Sequence, residues 1–280
     1  MNKIEANIAK GTGTESPLIS VVIPCFNDGV YLGETLEKLG RQTFTDFEVI
    51  IVNDGSTDQH TLQVLREIAD SGAAIVLHKT NGRMSSARNY GVRHAKGSVI
   101  AALDADDYFG PAFFQKGLEL LADDDNLAVV SSYIQLFGEF RKVQRPRGGS
   151  LFNLLFSSQI PACALVRKSC WDEIGGYDEN MKNGYEDWEF YIRISQKGWT
   201  IHVIREKLLF YRQTRKSTLA KDTKPNRAAL IGYIVDKHRD WYLEQLKTLM
   251  VKEEVIYTEA RISYQRIYKM IKDRLTGKYK

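Results

Sequence analysis

The stretch Leu103-Asp104-Ala105-Asp106-Asp107 sets three carboxylates in four residues at the end of an apolar run, Ser98 to Leu103. Carboxylates this close resist ionising together in a folded site unless positive charge sits among them. Mg²⁺ or Mn²⁺ supplies that charge through oxygen ligands, usually shared with substrate phosphates. Out of context, a solvated acidic turn capping a helix near Pro111 explains the cluster equally well. Asp54 ends another apolar run, Phe47 to Val52. A carboxylate there can accept N–H bonds from a base or O–H bonds from a ribose; the alternative is an Asx turn opening the next helix. Asp58 is already a good N-cap for that helix, which leaves Asp54 free for a ligand. The third acidic position is Tyr185-Glu186-Asp187-Trp188. Acids at a helix start are favoured by the macrodipole alone. The functional reading is a general base that takes the proton of an attacking hydroxyl, with Trp188 stacking on a sugar face or lying in the core.

The elements that must hold these residues alternate. Leu18 to Ile23 is a β-branched, almost wholly apolar run that Pro24 ends, as expected of a strand buried on both faces. A helical pattern with Val30, Leu32, Leu36 and Leu39 follows, then the Phe47–Val52 strand. Asp58 opens a helix carrying Leu62, Leu65 and Ile68. A strand at Ala74–Leu77, a helix at about Ser85–His94 and the Ser98–Leu103 strand complete four βα repeats. This is the pattern of a doubly wound, mostly parallel sheet, whose ligands bind at the carboxyl ends of the strands. Beyond residue 110 the spacing predicts a helix from Pro111 to Leu121, a strand from Leu127 to Ile134, and a basic, Gly-rich loop over the site from Glu139 to Ser150. A strand at Ile160–Val166, a helix at Lys168–Ile174 closed by Gly175-Gly176, a helix at Glu186–Gln196 and a strand at Thr200–Tyr211 come next. From Asn226 the pattern is helical.

Composition narrows the classes. The 280 residues are 43% hydrophobic and 26% charged, ordinary for a globular chain, and the net charge of +4 does not call for nucleic acid. Residues 261–280 hold seven Lys/Arg and one acid, which leaves residues 1–260 at −2. Cys25, Cys163 and Cys170 form no CxxC pair, and the five histidines lack metal spacing, so neither a disulfide framework nor a zinc site is expected. No G-x-G-x-x-G, P-loop or G-x-S-x-G elbow is present. No signal core and no stretch near ~20 apolar residues appears, so the expectation is a cytoplasmic protein.

The ordered motifs resemble glycosyltransferase family 2. They are Leu18 through Asn27, Phe47 through Asp58, Ser86-Ala87-Arg88-Asn89, Leu103 through Asp107, Ile174 through Glu179 (with Gly175-Gly176-Tyr177) and Tyr185 through Trp188, spanning about residues 18–215. The resemblance implies an α/β protein of GT-A fold: a Rossmann-like, mostly parallel sheet flanked by helices, here with a C-terminal helical extension. Three segments are expected, a leader at 1–16, the GT-A domain at 17–220 and the extension at 221–280. The family's activity would be inverting transfer from a nucleoside-diphosphate sugar, with UDP favoured, to a hydroxyl of a glycan or lipid-linked glycan. Mn²⁺ or Mg²⁺ would be the cofactor. Transfer of a hexosyl or N-acetylhexosaminyl group, in bacterial surface polysaccharide or glycoconjugate synthesis, is the implied setting.

Carried over residue by residue, the resemblance implies that Pro24, Phe26 and Asn27 border the nucleotide and Asp54 holds the base. Arg83 would reach the base or diphosphate, and Asp104 the ribose or sugar. Asp106 would ligate the metal, Asp187 would be the catalytic base, and Glu186 with Trp188 would meet the acceptor. Asp107 is left as a turn residue. One departure stands out: members often show Tyr-Arg, then His, then Ser near the domain's end, whereas Tyr211-Arg212-Gln213-Thr214-Arg215-Lys216-Ser217 has no His. Arg212 or Arg215 would then take that place toward the donor.

Two rival readings are weaker. A nucleotidyltransferase would want a Gly-rich phosphate loop after the first strand, where Pro24-Cys25-Phe26-Asn27 stands instead. A non-catalytic scaffold would lose key acids, yet Asp54, Asp106 and Asp187 are all present. In the tail, Tyr264, Ile267, Tyr268, Ile271 and Leu275 share one helix face with basic residues largely elsewhere. Two roles follow from that pattern: peripheral contact with the anionic inner face of the cell membrane, or packing on the body or a second subunit.

Overall fold

The computed structural model describes residues 17–148, 151–158, 160–213 and 223–251. The expected leader at 1–16 and the amphipathic tail at 261–280 lie outside the described residues, as does Arg215. The chain divides into two compact units, one ending at Leu230 and one beginning at Ile231.

In the first unit the alternation becomes β1 (Ile19–Cys25), α1 (Gly29–Leu39), β2 (Phe47–Asp54), α2 (Gln59–Ser71), β3 (Ile75–Lys79), α3 (Arg83–His94) and β4 (Val99–Ala102). The second half runs β5 (Tyr108–Phe109), α4 (Phe113–Asp123), β6 (Leu127–Gly138), β7 (Lys142–Gln144), α5 (Leu151–Phe156), β8 (Ala164–Arg167), α6 (Lys168–Ile174), α7 (Glu186–Gln196) and β9 (Thr200–Gln213). One sheet takes them all in the order β3-β2-β1-β4-β8-β6-β9-β5, with β7 beside β6. Strands β1 to β4, β6 and β9 run one way; β5, β7 and β8 run the other. The crossing from β3-β2-β1 to β4 reverses the winding, the place where open α/β sheets bind ligands.

Burial on both faces explains the unbroken apolar strands. Ile51 packs into the main core with Leu32 and Leu65, while Ile50 and Val52 meet Ala87 of α3 on the other face. Helix α2 starts as the sequence implies: Asp58 accepts the Thr61 amide at 2.8 Å, and Gly72 closes the helix in the left-handed region. Helix α3 comes unusually close to the sheet. A Cβ on Gly91 would lie 2.4 Å from Val22 Cγ1 and 3.0 Å from Val52 Cγ2.

Some expectations change. Pro24 does not end β1; it lies buried within the strand opposite Val52, and the strand continues to Cys25. Pro111 precedes α4, which starts at Phe113, because Phe113 donates its amide to Gly110 in a turn. The segment 139–148 is not loop throughout: residues 142–144 form edge strand β7, and a Cβ on Gly148 would lie 3.6 Å from Val203 Cγ2, in the amino-terminal part of β9.

Helix α8 (Lys224–Lys237) begins near the expected position and ends the first unit; the second holds its remainder and α9 (Arg239–Val251). Among the described residues no helix is long and apolar enough to cross a membrane.

The tight α3–sheet approach is testable. Gly91→Ala is expected to lower the unfolding free energy by about 1–3 kcal/mol through overpacking, read from the midpoint of urea unfolding. A change within about 0.5 kcal/mol would show that α3 moves away freely.

Candidate active site

Four segments meet at the carboxyl edge of the sheet: the end of β1, the end of β2 with the start of α3, the turn after β4, and the start of α7. The turn at 104–107 is built from both sides. The Asp107 amide donates to Asp104 O at 3.2 Å. Thr35 of α1 donates its hydroxyl toward Ala105 O (2.8 Å) and Asp107 O (3.2 Å).

Asp107 is more than a turn residue. It is 1% exposed. One carboxylate oxygen accepts the Arg212 amide at 2.8 Å and the other faces Cys163 Sγ at 3.7 Å. Burial, then Asp106 and Asp104, push its pKa far up. It ties the turn to β9.

Asp104 and Glu186 come together through a residue that pattern reading passed over. Arg88, 2% exposed, donates to Asp104 Oδ1 at 2.6 Å and to Glu186 Oε1 at 2.8 Å. Its guanidinium lies 5.3 Å from the Tyr177 ring centroid. Although burial opposes its charge, Asp104, Tyr177 and Glu186 hold its pKa above the usual arginine value. The available signal was an arginine within Ser85-Ser86-Ala87-Arg88-Asn89, a run of small and polar residues that the structure buries throughout. A charge buried in such a run needs partners.

Among the described residues Asp106 makes no such ion pair. Its pKa rises to about 7, through burial first and then through Asp104 and Asp28. Asp28, at the end of β1, is itself pushed up by burial and by Asp104. Arg212 approaches from β9, but its Nε donates to Asp106 O at 3.1 Å, and its NH2 pairs with Glu34 at 2.5 Å. Tyr31 and Phe137 flank the same guanidinium at 4.9 and 4.5 Å. Arg212 therefore braces the turn from its backbone side, which changes its expected role as a free donor-binding charge.

Asp187 lies next to this charge centre. Burial and then Glu186 raise its pKa to about 7. Its carboxylate accepts its neighbour's amide, Trp188 N, at 2.7 Å and faces Ser158 Oγ at 3.4 Å. Tyr185 before it adopts a left-handed φ of 61°, so α7 starts abruptly at Glu186. Glu186 spends one carboxylate oxygen on Arg88. Trp188 is corrected outright. It is 2% exposed and donates its Nε1–H to Leu154 O at 2.6 Å, so it is core and cannot stack on a sugar.

On the β2 side, Asp54 is not free. It is 3% exposed and accepts from Lys79 Nζ (2.7 Å), Gly82 N (2.9 Å) and Arg83 N (2.8 Å). Asp58 does cap α2, but Asp54 meanwhile anchors the start of α3, where Arg83 takes a φ of 71°. Asn27, with φ 60°, accepts the Thr57 and Asp58 amides at 2.8 and 2.9 Å and so joins β1's end to β2's. Phe26 beside it is 46% exposed and open to a ligand ring, whereas Pro24 is buried behind it.

Which groups suit a metal follows from their chemistry. Asp104, Asp107 and Cys163 each bring a possible ligand atom within 4.8 Å of the others. Burial keeps the Cys163 thiol protonated, and a thiol is a poor ligand for Mg²⁺ or Mn²⁺. Asp106 and Asp28, close enough to Asp104 to feel its charge, bring carboxylate oxygens of the kind such an ion takes. Burial first, and then neighbouring carboxylates, raise the pKa values of Asp106 and Asp28, so added positive charge is favourable there. The three cysteines are buried and unpaired, in line with the absence of a disulfide framework.

The fold and the four-segment site define a GT-A type α/β protein. A family model for glycosyl transferase family 2 matches residues 20–192, and the chain belongs to that family. It is 39% identical over 115 residues to the uncharacterized glycosyltransferase EpsJ of Bacillus subtilis, covering 41% of this chain and 33% of that protein. It is 32% identical over 186 residues to the uncharacterized glycosyltransferase YwdF of the same organism, covering 64% and 68%. A chondroitin synthase of Pasteurella multocida is 30% identical over 199 residues, covering 67% of this chain but 20% of the synthase. Among solved structures, Staphylococcus aureus TarS 1–349 with UDP-GlcNAc superposes with a TM-score of 0.59 at 22% identity, over 72% of this chain and 60% of that one. The mannosyltransferase PcManGT of Pyrobaculum calidifontis, with GDP-Man and Mn²⁺, gives 0.55 at 21%, over 74% and 60%. The chain thus spans a third of EpsJ and 60% of the TarS chain.

Removing the buried guanidinium should be costly. Arg88→Ala leaves Asp104 and Glu186 facing each other without a counter-charge and is expected to cost about 3–5 kcal/mol of stability. Denaturant unfolding measures it, and a loss below about 1 kcal/mol would mean that Arg88 does not hold the site together.

Proposed function

We propose that the chain transfers a sugar from a nucleoside-diphosphate sugar, UDP-linked in this reading, to a hydroxyl of a glycan or lipid-linked glycan, with inversion at the anomeric carbon. The observation that carries the proposal is the pair of carboxylate centres on the two sides of Arg88. Asp106 has a surplus of negative charge around it, and Asp187 is a carboxyl whose pKa is raised into the range of a useful base. Family membership supports it, as do UDP-GlcNAc with TarS and GDP-Man with PcManGT. Surface polysaccharide or glycoconjugate assembly is the setting we favour, in line with the chondroitin synthase likeness. The cytoplasmic side of the cell is where that donor chemistry would be met.

The residues divide the work. Phe26, exposed at the end of β1, offers a ring to the nucleobase, and Asn27 shapes the turn beside it. Asp54 holds Gly82 and Arg83 in place, with one of its acceptor directions left for a base or ribose. Asp104, fixed by Arg88, faces the ribose or sugar. Asp106, with Asp104, would hold a divalent cation. When bound, that ion neutralises charge on the departing diphosphate, an effect of several kcal/mol. Asp187 takes the proton of the acceptor hydroxyl while the acceptor oxygen forms the bond to the anomeric carbon. The bond to the diphosphate breaks on the opposite face, and the nucleoside diphosphate leaves with the electron pair. Ser158 and the Trp188 amide orient the Asp187 carboxyl for that step.

Two predictions follow from the raised carboxyls. Asp187 must be ionised to accept a proton, so with its pKa near 7 the transfer kcat/KM should rise about tenfold per pH unit below 7 and level off above it. Asp187→Asn should lower turnover by about 10²–10⁴-fold while UDP-GlcNAc still binds. An unchanged rate, or a pH profile flat from 5 to 8, removes Asp187 from this role. For the cation, Mn²⁺ and UDP-GlcNAc together should raise the melting temperature by mass action, and Asp106→Asn should abolish the Mn²⁺-dependent part. Equal Mn²⁺-dependent shifts in both proteins would place the ion elsewhere.

A further inference from the structure

A second concavity, of about 810 Å³, lies beside the first part of β9, lined among others by Tyr133, Arg145, Arg147, Trp199, His202 and Arg205. It is not part of the transfer site. Val203, in its wall, and Arg212, at the Asp106 turn, are nine residues apart on β9, about 30 Å along a strand at ~3.3 Å per residue. The basic segment after β6 reaches this concavity instead of the transfer site, so its charge needs another explanation.

Among the described residues, no Asp or Glu lines the concavity. The nearby acids are engaged elsewhere: Glu206 with Lys116, and Glu173 with Lys197 and the Trp199 indole. Arg145, Arg147 and Arg205 are exposed around one hollow. Like charges gathered in a concave, low-dielectric surface focus a positive potential into it. Guanidinium groups match carboxylate and phosphate oxygens in a two-pronged geometry that water does not replace. Trp199 and Tyr133, both partly exposed, add ring faces. The combination of cationic forks with aromatic faces suits a sugar ring carrying an anionic group. The hollow's volume, within the 300–1,000 Å³ of ligand pockets, suits a short saccharide segment, and its concavity does not suit a flat bilayer.

We propose that this hollow binds an anionic saccharide chain, through carboxylate or phosphate oxygens held by Arg145, Arg147 and Arg205 and rings laid against Trp199 and Tyr133. Its position, a strand's length from the transfer site, makes it a hold on polymer distant from the reacting end. Binding is independent of donor and of chemistry, so failure here and failure of the transfer reading are separable.

The test is calorimetric titration of the full chain, without nucleotide, against three probes: a uronate-containing hexasaccharide, sodium tripolyphosphate and maltohexaose. The uronate chain or tripolyphosphate should bind, more weakly as salt rises, and maltohexaose should not. Binding by the uronate chain alone assigns the site to carboxylated sugars, and by tripolyphosphate alone to phosphorylated ones. The Arg145→Ala/Arg147→Ala/Arg205→Ala variant should lose at least tenfold in affinity. Arg141→Ala, in the same segment but outside the hollow, should match wild type. These side chains are exposed, so melting temperatures should coincide. The proposal is overturned if neither anion binds, if maltohexaose binds as tightly, or if the triple variant keeps wild-type affinity.

Discussion

One buried guanidinium holds the charge architecture of this protein. Arg88 sits inside the fold with Asp104 on one side and Glu186 on the other. Those acids come from the end of β4 and the start of α7, segments about eighty residues apart in sequence. Without it these two acids would lose their shared ion-pair partner. Arg88 pairs with these two; among the described residues Asp106 and Asp187 make no ion pair, and burial first, then neighbouring carboxylates, raise their pKa values.

A second frame supports the first. Asp107 receives the Arg212 backbone amide, and the Arg212 side chain reaches the Asp106 carbonyl and Glu34. Thr35 closes the turn from α1. The acidic turn is therefore pinned by α1, by β9 and, through Asp104, by α3. Its shape is set before any ligand arrives, which is what a site needs if binding energy is to go into chemistry and not into ordering a loop.

Most of the fold was legible because β1, the end of β2 and β4 are buried on both faces and so read as continuous apolar runs. The four βα repeats, the Asp58 cap and the Gly175 close all rest on local chemistry, and all appear. Pro24 misled because β1 continues through a proline that still fits the sheet. The 139–148 segment misled because charge and glycine content describe a loop without saying where it goes. In the site, Asp106 and Asp187 stood out through spacing and strand position. Arg88 did not, since its importance depends on which distant carboxylates converge on it. Trp188 lies in the core, the second of its two readings; helical periodicity does not tell which side of a helix start faces inward. Asp54's engagement with Gly82 and Arg83 is likewise a tertiary fact.

The central claim is a single displacement, with the base at Asp187 on the face of the sugar opposite a diphosphate held near Asp106. The stereochemistry of the first product tests it most directly. With an α-linked UDP-sugar and an acceptor identified by screening, proton NMR of the reaction as it proceeds reads the anomeric coupling constant before any equilibration. The account predicts a β-linked product. An α-linked first product would require a double displacement or a front-face reaction, and would contradict it.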